Sequence, residues 1–362
     1  METLKDPVQN WNLMTWEQMR DVAQVWYGAD DEATKRLKVL CILVGCELVG
    51  KEYATPIVDK LLVMKDKEVE QWLRENVFAE KGNKEWDEVM KECQGVMDEN
   101  GKRNVLLRDK STGETLAVDS DNIGSAAYKF TEFLDKPNDL RHIPLSDIKI
   151  GRHTYVFPEV ALTDVRFDQF QDIQKYEEHV WEGLERVNSI VEDMEALDHD
   201  PSPEYIANKT SEINDTLAEV KEMKSQMLAA MLKRKVWKGF KAEFCNSLPF
   251  ISIRSRYETV YAEDAVKDMT TAPEWLFSIC EMFLQGSIGF YAGQYPKVFK
   301  KAGGGKDAKA PLIARTDTIR ALMKYQGFGR LEDVKNMLLP EAFSVMNAMS
   351  EESEEVEKMR KR

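Results

Sequence analysis

The stretch from Asp164 to Lys235 decides the fold: DVRFDQF QDIQKYEEHV WEGLERVNSI VEDMEALDHD PSPEYIANKT SEINDTLAEV KEMKSQMLAA MLKRK. It breaks in the middle at Asp198-His199-Asp200-Pro201-Ser202-Pro203. Before the break, Ile173, Val180, Val187 and Met194 recur as a heptad, with Leu184 and Val191 between them. After it, Ile206, Ile213, Val220 and Met227 recur the same way, with Leu217 and Met231 between. That spacing keeps an apolar seam turned towards a partner helix and predicts an antiparallel coiled-coil hairpin. Each arm of about thirty residues spans roughly 45 Å at 1.5 Å per residue. This is more reach than a compact domain uses, and it points to contact with other proteins.

Working outward, the chain of 362 residues has room for two or three domains. The first hundred residues read as helices. Thr15 and Gln18 make a capping-box pair, and a second helix starts at about Asp31. Shorter helices are expected at 68–77 and 84–97. From Val105 the apolar period changes. The runs around Leu106 and Leu116 flank Lys110-Ser111-Thr112-Gly113 as a hairpin, and Ile143 to Val165 supplies further strands. One small sheet is therefore expected between about 102 and 165. Pro273 opens a strongly apolar helix, and three more helices begin near Thr316, Leu331 and Pro340. The expected class is mainly α with a small β element (α+β), a helical body with the inserted coiled-coil hairpin. Its regions are 1–101 (helical), 102–163 (sheet-containing), 164–236 (hairpin), 237–349 (helical) and 350–362 (a charged, frayed tail).

Composition narrows the function. A formal charge of -14 opposes general binding to nucleic acid, which requires a basic surface against the phosphates. A local basic strip remains: Lys233, Arg234 and Lys235, with Lys238 and Lys241 interleaved with Trp237 and Phe240. Its plainer reading is a solvated helix end at the negative pole of the helix dipole. Met223, Met227 and Met231 form a second candidate, since methionines adapt to varied partners. Ordinary packing against the first arm explains most of them.

Catalytic and cofactor signatures are missing. Gly303-Gly304-Gly305-Lys306 is followed by Asp307, not by the hydroxyl that a P-loop uses for magnesium. The four histidines, His142, His153, His179 and His199, show no metal-ligand spacing. The acids around Asp198 lack the glycine-centred loop of an EF-hand. The five cysteines read as buried thiols of a reducing compartment. The N-terminus has no leader pattern, and no apolar run approaches the ~18 residues of a membrane span. No enzyme activity, metal or cofactor is expected, and the expected location is the cytoplasm.

Three stretches together resemble virion-associated or tail-assembly proteins of tailed phages and prophages. They are Trp11-Asn12-Leu13-Met14-Thr15-Trp16-Glu17-Gln18 leading into two helices, the coiled middle, and the helical part from Pro273 to Glu355. The resemblance lies in layout and carries no functional residue across. It implies a protein made in the bacterial host cytoplasm that binds other virion or assembly components, enters the virion or not, and is open to self-association. The partner-binding candidates are Met223, Met227, Met231, Lys233, Arg234, Lys235 and Trp237. The alternative is a nucleic-acid-handling accessory protein using the basic strip.

Overall fold

The computed structural model describes residues 7–48, 104–136, 138–197, 201–244, 251–262, 264–299, 315–325 and 330–360. The helices expected at 68–77 and 84–97 and the glycine run at 303–305 lie outside them, as does the Asp198–Asp200 tip. The chain is mainly helical with two small antiparallel sheets, and it divides into two units, Met1–Pro137 and Asn138–Arg362. Among the described residues no helix is long and apolar enough to cross a membrane.

In the first unit, α1 (Trp16–Trp26) starts at the expected capping box of Thr15 and Gln18. The carboxylate of Asp31 caps α2 (Glu32–Val44), which ends at Gly45 with φ 77°, a conformation that costs glycine little. Strands β1 (Cys46–Leu48), β2 (Asn104–Asp109) and β3 (Thr115–Asp119) follow in that order across an antiparallel sheet. Helix α3 (Ser120–Thr131) closes the unit. Leu37, Leu40, Cys41, Val105, Leu107 and Ile123 form its shared core. Arg36 is buried there, bonded to Glu32 and Asp135 at 2.7 Å each and stacked 4.7 Å over the Tyr128 ring.

The second unit holds β4 (Asp147–Ile150), β5 (His153–Val156), β6 (Lys233–Phe244) and β7 (Ile251–Val260), again neighbours in that order. The strands expected between 102 and 165 therefore belong to two sheets. Those before Pro137 pair with the N-terminal helices' own strand, and those after it pair with a ribbon eighty residues further on. The long helices are α4 (Phe167–Glu195) and α5 (Pro203–Met231). Ser202 caps α5 and Pro203 fills its first turn, so the proline-rich break acts as a helix start. Then come α6 (Ala265–Met269), α7 (Glu274–Gln294), α8 (Arg315–Lys324), α9 (Leu331–Asn336) and α10 (Leu339–Arg360). Helix α10 runs on to Arg360, so the expected frayed tail is helical and exposed.

The body of this unit forms around α7, whose Leu276, Ile279, Phe283 and Leu284 have almost no exposed surface. Phe343 of α10 meets the Tyr291 ring at 5.0 Å and the edge of Phe170 at 5.7 Å. The segment before α10 bonds to the start of α4, through Phe167 N–H to Met337 C=O at 2.8 Å and Leu339 N–H to Val165 C=O at 2.9 Å. The backbone of Leu140 lies directly on α7 at Gly286, where an added Cβ would stand 2.2 Å from the Leu140 carbonyl oxygen.

Helices α4 and α5 run antiparallel. Gln169 donates to the Ala230 carbonyl at 2.6 Å, Gly183 faces Val220, and Arg186 reaches Glu219 at 3.5 Å. Of the eight heptad residues, Ile173, Val180, Val220 and Met227 are buried, Val187, Met194 and Ile213 are half-buried and Ile206 is exposed. Of the intervening positions Met231 is buried as expected, but Leu184 is half-buried and Val191 and Leu217 are exposed, while Gly183, Ile190 and Thr216 are buried instead. The cause is steric: at Gly183 an added Cβ would sit 2.4 Å from Val220 Cγ2. The helices approach where Gly183 of α4 meets Val220 and Thr216 of α5, and Leu184 and Leu217 beside them turn towards solvent.

Gly183→Ala regains about 1 kcal/mol of helix propensity but overpacks against a stiff valine. The expected net effect is a loss of about 1 kcal/mol in urea unfolding, growing to about 3 kcal/mol for Gly183→Leu. Adding Val220→Ala to Gly183→Ala should recover part of the loss. A Gly183→Ala protein more stable than the parent contradicts the close approach.

Candidate functional site

The candidate residues lie where α5 runs into the sheet. Met227 and Met231 have no exposed surface and belong to the core, while Met223 is half-buried. Helix α5 stops at Met231 because Leu232 is extended, with φ -94° and ψ 133°. Lys233 onward is therefore β-strand, and the basic run is not the solvated helix end that its composition suggests. Only Lys233 and Arg234 pair with β5, opposite Val156 and Tyr155. Beyond them β6 and β7 continue as a two-stranded ribbon, irregular between Trp237 and Phe240.

Each described cation of the strip meets an acid that local sequence could not reveal. Lys233 pairs with Asp164, Lys235 with Asp147 at 2.6 Å and Lys238 with Glu258 at 3.1 Å. Arg234 reaches Asp264 at 3.0 Å and Asp268 at 3.5 Å. The Lys241 side chain lies outside the described residues. Trp237 stands opposite Tyr257 in the ribbon, and the two are 55% and 51% exposed. Lys235 Nζ lies 5.0 Å over the Tyr257 ring.

Arg234 belongs to a polar cluster centred on Asp268 of α6. The Asp268 carboxylate contacts His153 Nδ1 at 2.7 Å and accepts from the buried Tyr155 hydroxyl. Arg234 also donates to the Tyr155 oxygen, at 3.3 Å from Nη2. Burial pushes the Asp268 carboxyl up, but the Tyr155 and His153 bonds and the Arg234 charge outweigh it and hold it below the usual carboxylate range. Burial and then Asp268 push Tyr155 up to about 12, so it remains a donor. The cluster clasps α6 to β5 and β6. Among the described residues no group of three or more His, Cys, Asp or Glu is placed to hold a metal ion.

A second polar junction lies on α7. Burial, then the charge of Glu177 on α4, raise the Glu281 carboxyl to about 7, against smaller opposing effects of Lys224 on α5 and a bond from Trp181. Gln285 donates to Glu177 beside it, and Lys224 pairs with Glu274. No protein family, curated protein or solved structure matches the chain.

Two predictions follow from these junctions. Removing the Asp268 carboxylate leaves the buried Tyr155 hydroxyl without its acceptor and takes one of two carboxylates from Arg234, so Asp268→Ala should cost about 2 kcal/mol in denaturant unfolding. Because that carboxyl is depressed in the folded state, its contribution is full above the unfolded carboxylate value and fades as pH falls through the lower folded one. Glu281 has the opposite sign. Its folded value is raised, so the folded state binds the proton more tightly, and stability should fall as pH rises from about 4.5 to about 7. Glu281→Gln should flatten that slope and stabilise the protein by about 2 kcal/mol at pH 8. Unfolding curves across this range that are the same for parent and variant would count against a half-buried, proton-holding Glu281.

Proposed function

We propose that this chain is a non-enzymatic protein that works by docking other proteins, in the virion or tail-assembly setting that its layout resembles. The observation that supports docking is the outer part of the α4–α5 pair. Between Leu184 and Glu219 only Ile190 and Thr216 are buried among the described residues. The same span carries ten acidic residues against two basic ones. Folding leaves this surface unspent, and a long, solvated, strongly charged helix pair is a means of reaching a partner.

The basic strip favours the protein reading over nucleic acid. Lys233, Arg234, Lys235 and Lys238 are all engaged by acids of the same chain, so little net positive charge is left there to release counterions from phosphates. The test is co-expression with the proteins encoded beside this one, followed by purification and size measurement. At least one should co-purify with the parent and be lost from a variant in which a short Gly-Ser turn replaces 184–219. A monomer that captures none of them, or one whose binding survives the replacement, contradicts docking through the hairpin. Salt-sensitive binding to nucleic acid that weakens with Lys238→Gln would instead support the alternative.

A further inference from the structure

The close packing at Gly183 and Thr216 has turned Leu184 and Leu217 onto one flank of the helix pair. Both line an open cavity of about 230 Å³, whose remaining wall mixes Leu228, Met269 and Phe277 with Lys221 and the Lys224–Glu274 ion pair. Leu217 is 43% exposed. Helical periodicity carries the same flank outward. Val191 lies one heptad beyond Leu184, and Ile206 lies eleven residues from Leu217, about three turns. Both are exposed. The antiparallel register places them along a single furrow, which begins at the cavity and runs towards the hairpin turn. Glu185, Glu192 and Glu195 are exposed and follow the leucine and valine along the α4 edge.

We propose that this flank receives one amphipathic helix of another protein, with an apolar stripe bordered by Lys or Arg. This deepens the docking function proposed above and rests on it. An apolar furrow between two parallel-sided helices fits a third helix, whose anchors at i, i+3, i+4 and i+7 match the positions at Leu217, Leu184 and Val191. The cavity beside Phe277 takes the terminal anchor. The charge selects the partner: the acidic edge and the ten-to-two excess of acids in the outer hairpin attract a basic helix. A second copy would bring the same excess against itself, which like-charge repulsion opposes.

The probe is a synthetic helix of about 21 residues, with Leu at the a and d heptad positions and Lys at e and g. A matched peptide carries Glu in place of Lys. Binding is followed by fluorescence anisotropy with the full chain. The Lys peptide should bind about tenfold or more tighter than the Glu peptide. Val191→Gln with Leu217→Gln leaves every charge in place and should weaken the Lys peptide about tenfold, with an unchanged unfolding midpoint. Leu13→Gln, an exposed apolar change in the first unit, should leave binding as it was. No binding, or equal affinity for the parent and the glutamine variant, overturns the groove, since charge alone would then account for any attraction. A dimer that dissociates with Leu217→Gln overturns it in favour of a second copy. Should the peptide fail while neighbouring proteins still depend on 184–219, the groove is wrong and hairpin docking stands.

Discussion

The contact of Gly183 with Val220 is the constraint from which the second unit's arrangement follows. It brings two helices of 29 residues each close enough for Thr216 to sit between them. It also selects the rotation of each helix about its axis. Heptad spacing alone leaves two choices for the residue between successive anchors, three or four positions on. Bulk favours the leucines at Leu184 and Leu217, but close packing favours the smaller Gly183 and Thr216. Packing density decides the matter, because a helix pair gains more from tight approach along its length than from burying two larger side chains at a wider separation. The displaced leucines then become the wall of the cavity beside α7.

Charge is divided along the chain in a way that matches this arrangement. The cations after α5 are consumed at the base, where Asp147, Asp164 and the pair Asp264 and Asp268 arrive from three separate places in the sequence. Lys233 to Lys235 thereby fix the exit of the strand from the helix. The outer hairpin from Leu184 to Glu219 carries ten acids against two basic residues, and their repulsion favours a solvated surface. The buried Glu177 and the half-buried Glu281 mark the boundary between the two regimes. There α4, α5 and α7 meet, and one carboxyl keeps its proton to about neutrality.

Much of this was legible in the residues. The capping box at Thr15, the proline-marked start of α5, the apolar helix after Pro273 and the hairpin at Gly113 all rest on local chemistry, and local chemistry is what a sequence displays. The two long helices were legible from their apolar spacing, and half of their heptad residues are buried where the helices meet. What they could not display was the choice between Gly183 and Leu184, which depends on the residue that the partner helix places opposite. The two sheets were read as one for a similar reason. Strand β5 takes its neighbour from beyond the whole hairpin, and nothing near His153 announces β6. The basic strip is visible in the sequence, but its place in a strand is not. Its alternation is compatible with a helix end, and the acids that claim it become neighbours only once the chain has folded. Met227 and Met231 were singled out for their chemistry, but periodicity had already assigned them to the interior.

The rotation of the helix pair is the central claim, and cysteine accessibility tests it most directly. Cysteines introduced singly at Val191, Leu217, Ile190 and Thr216 would be labelled with a maleimide under native conditions and followed by peptide mass spectrometry. Positions 191 and 217 should react at about the rate of an exposed thiol, and positions 190 and 216 at least about tenfold more slowly. The reverse order, with 191 and 217 protected and 190 and 216 reactive, would show that the leucines fill the seam, and the account of the groove would fall with it.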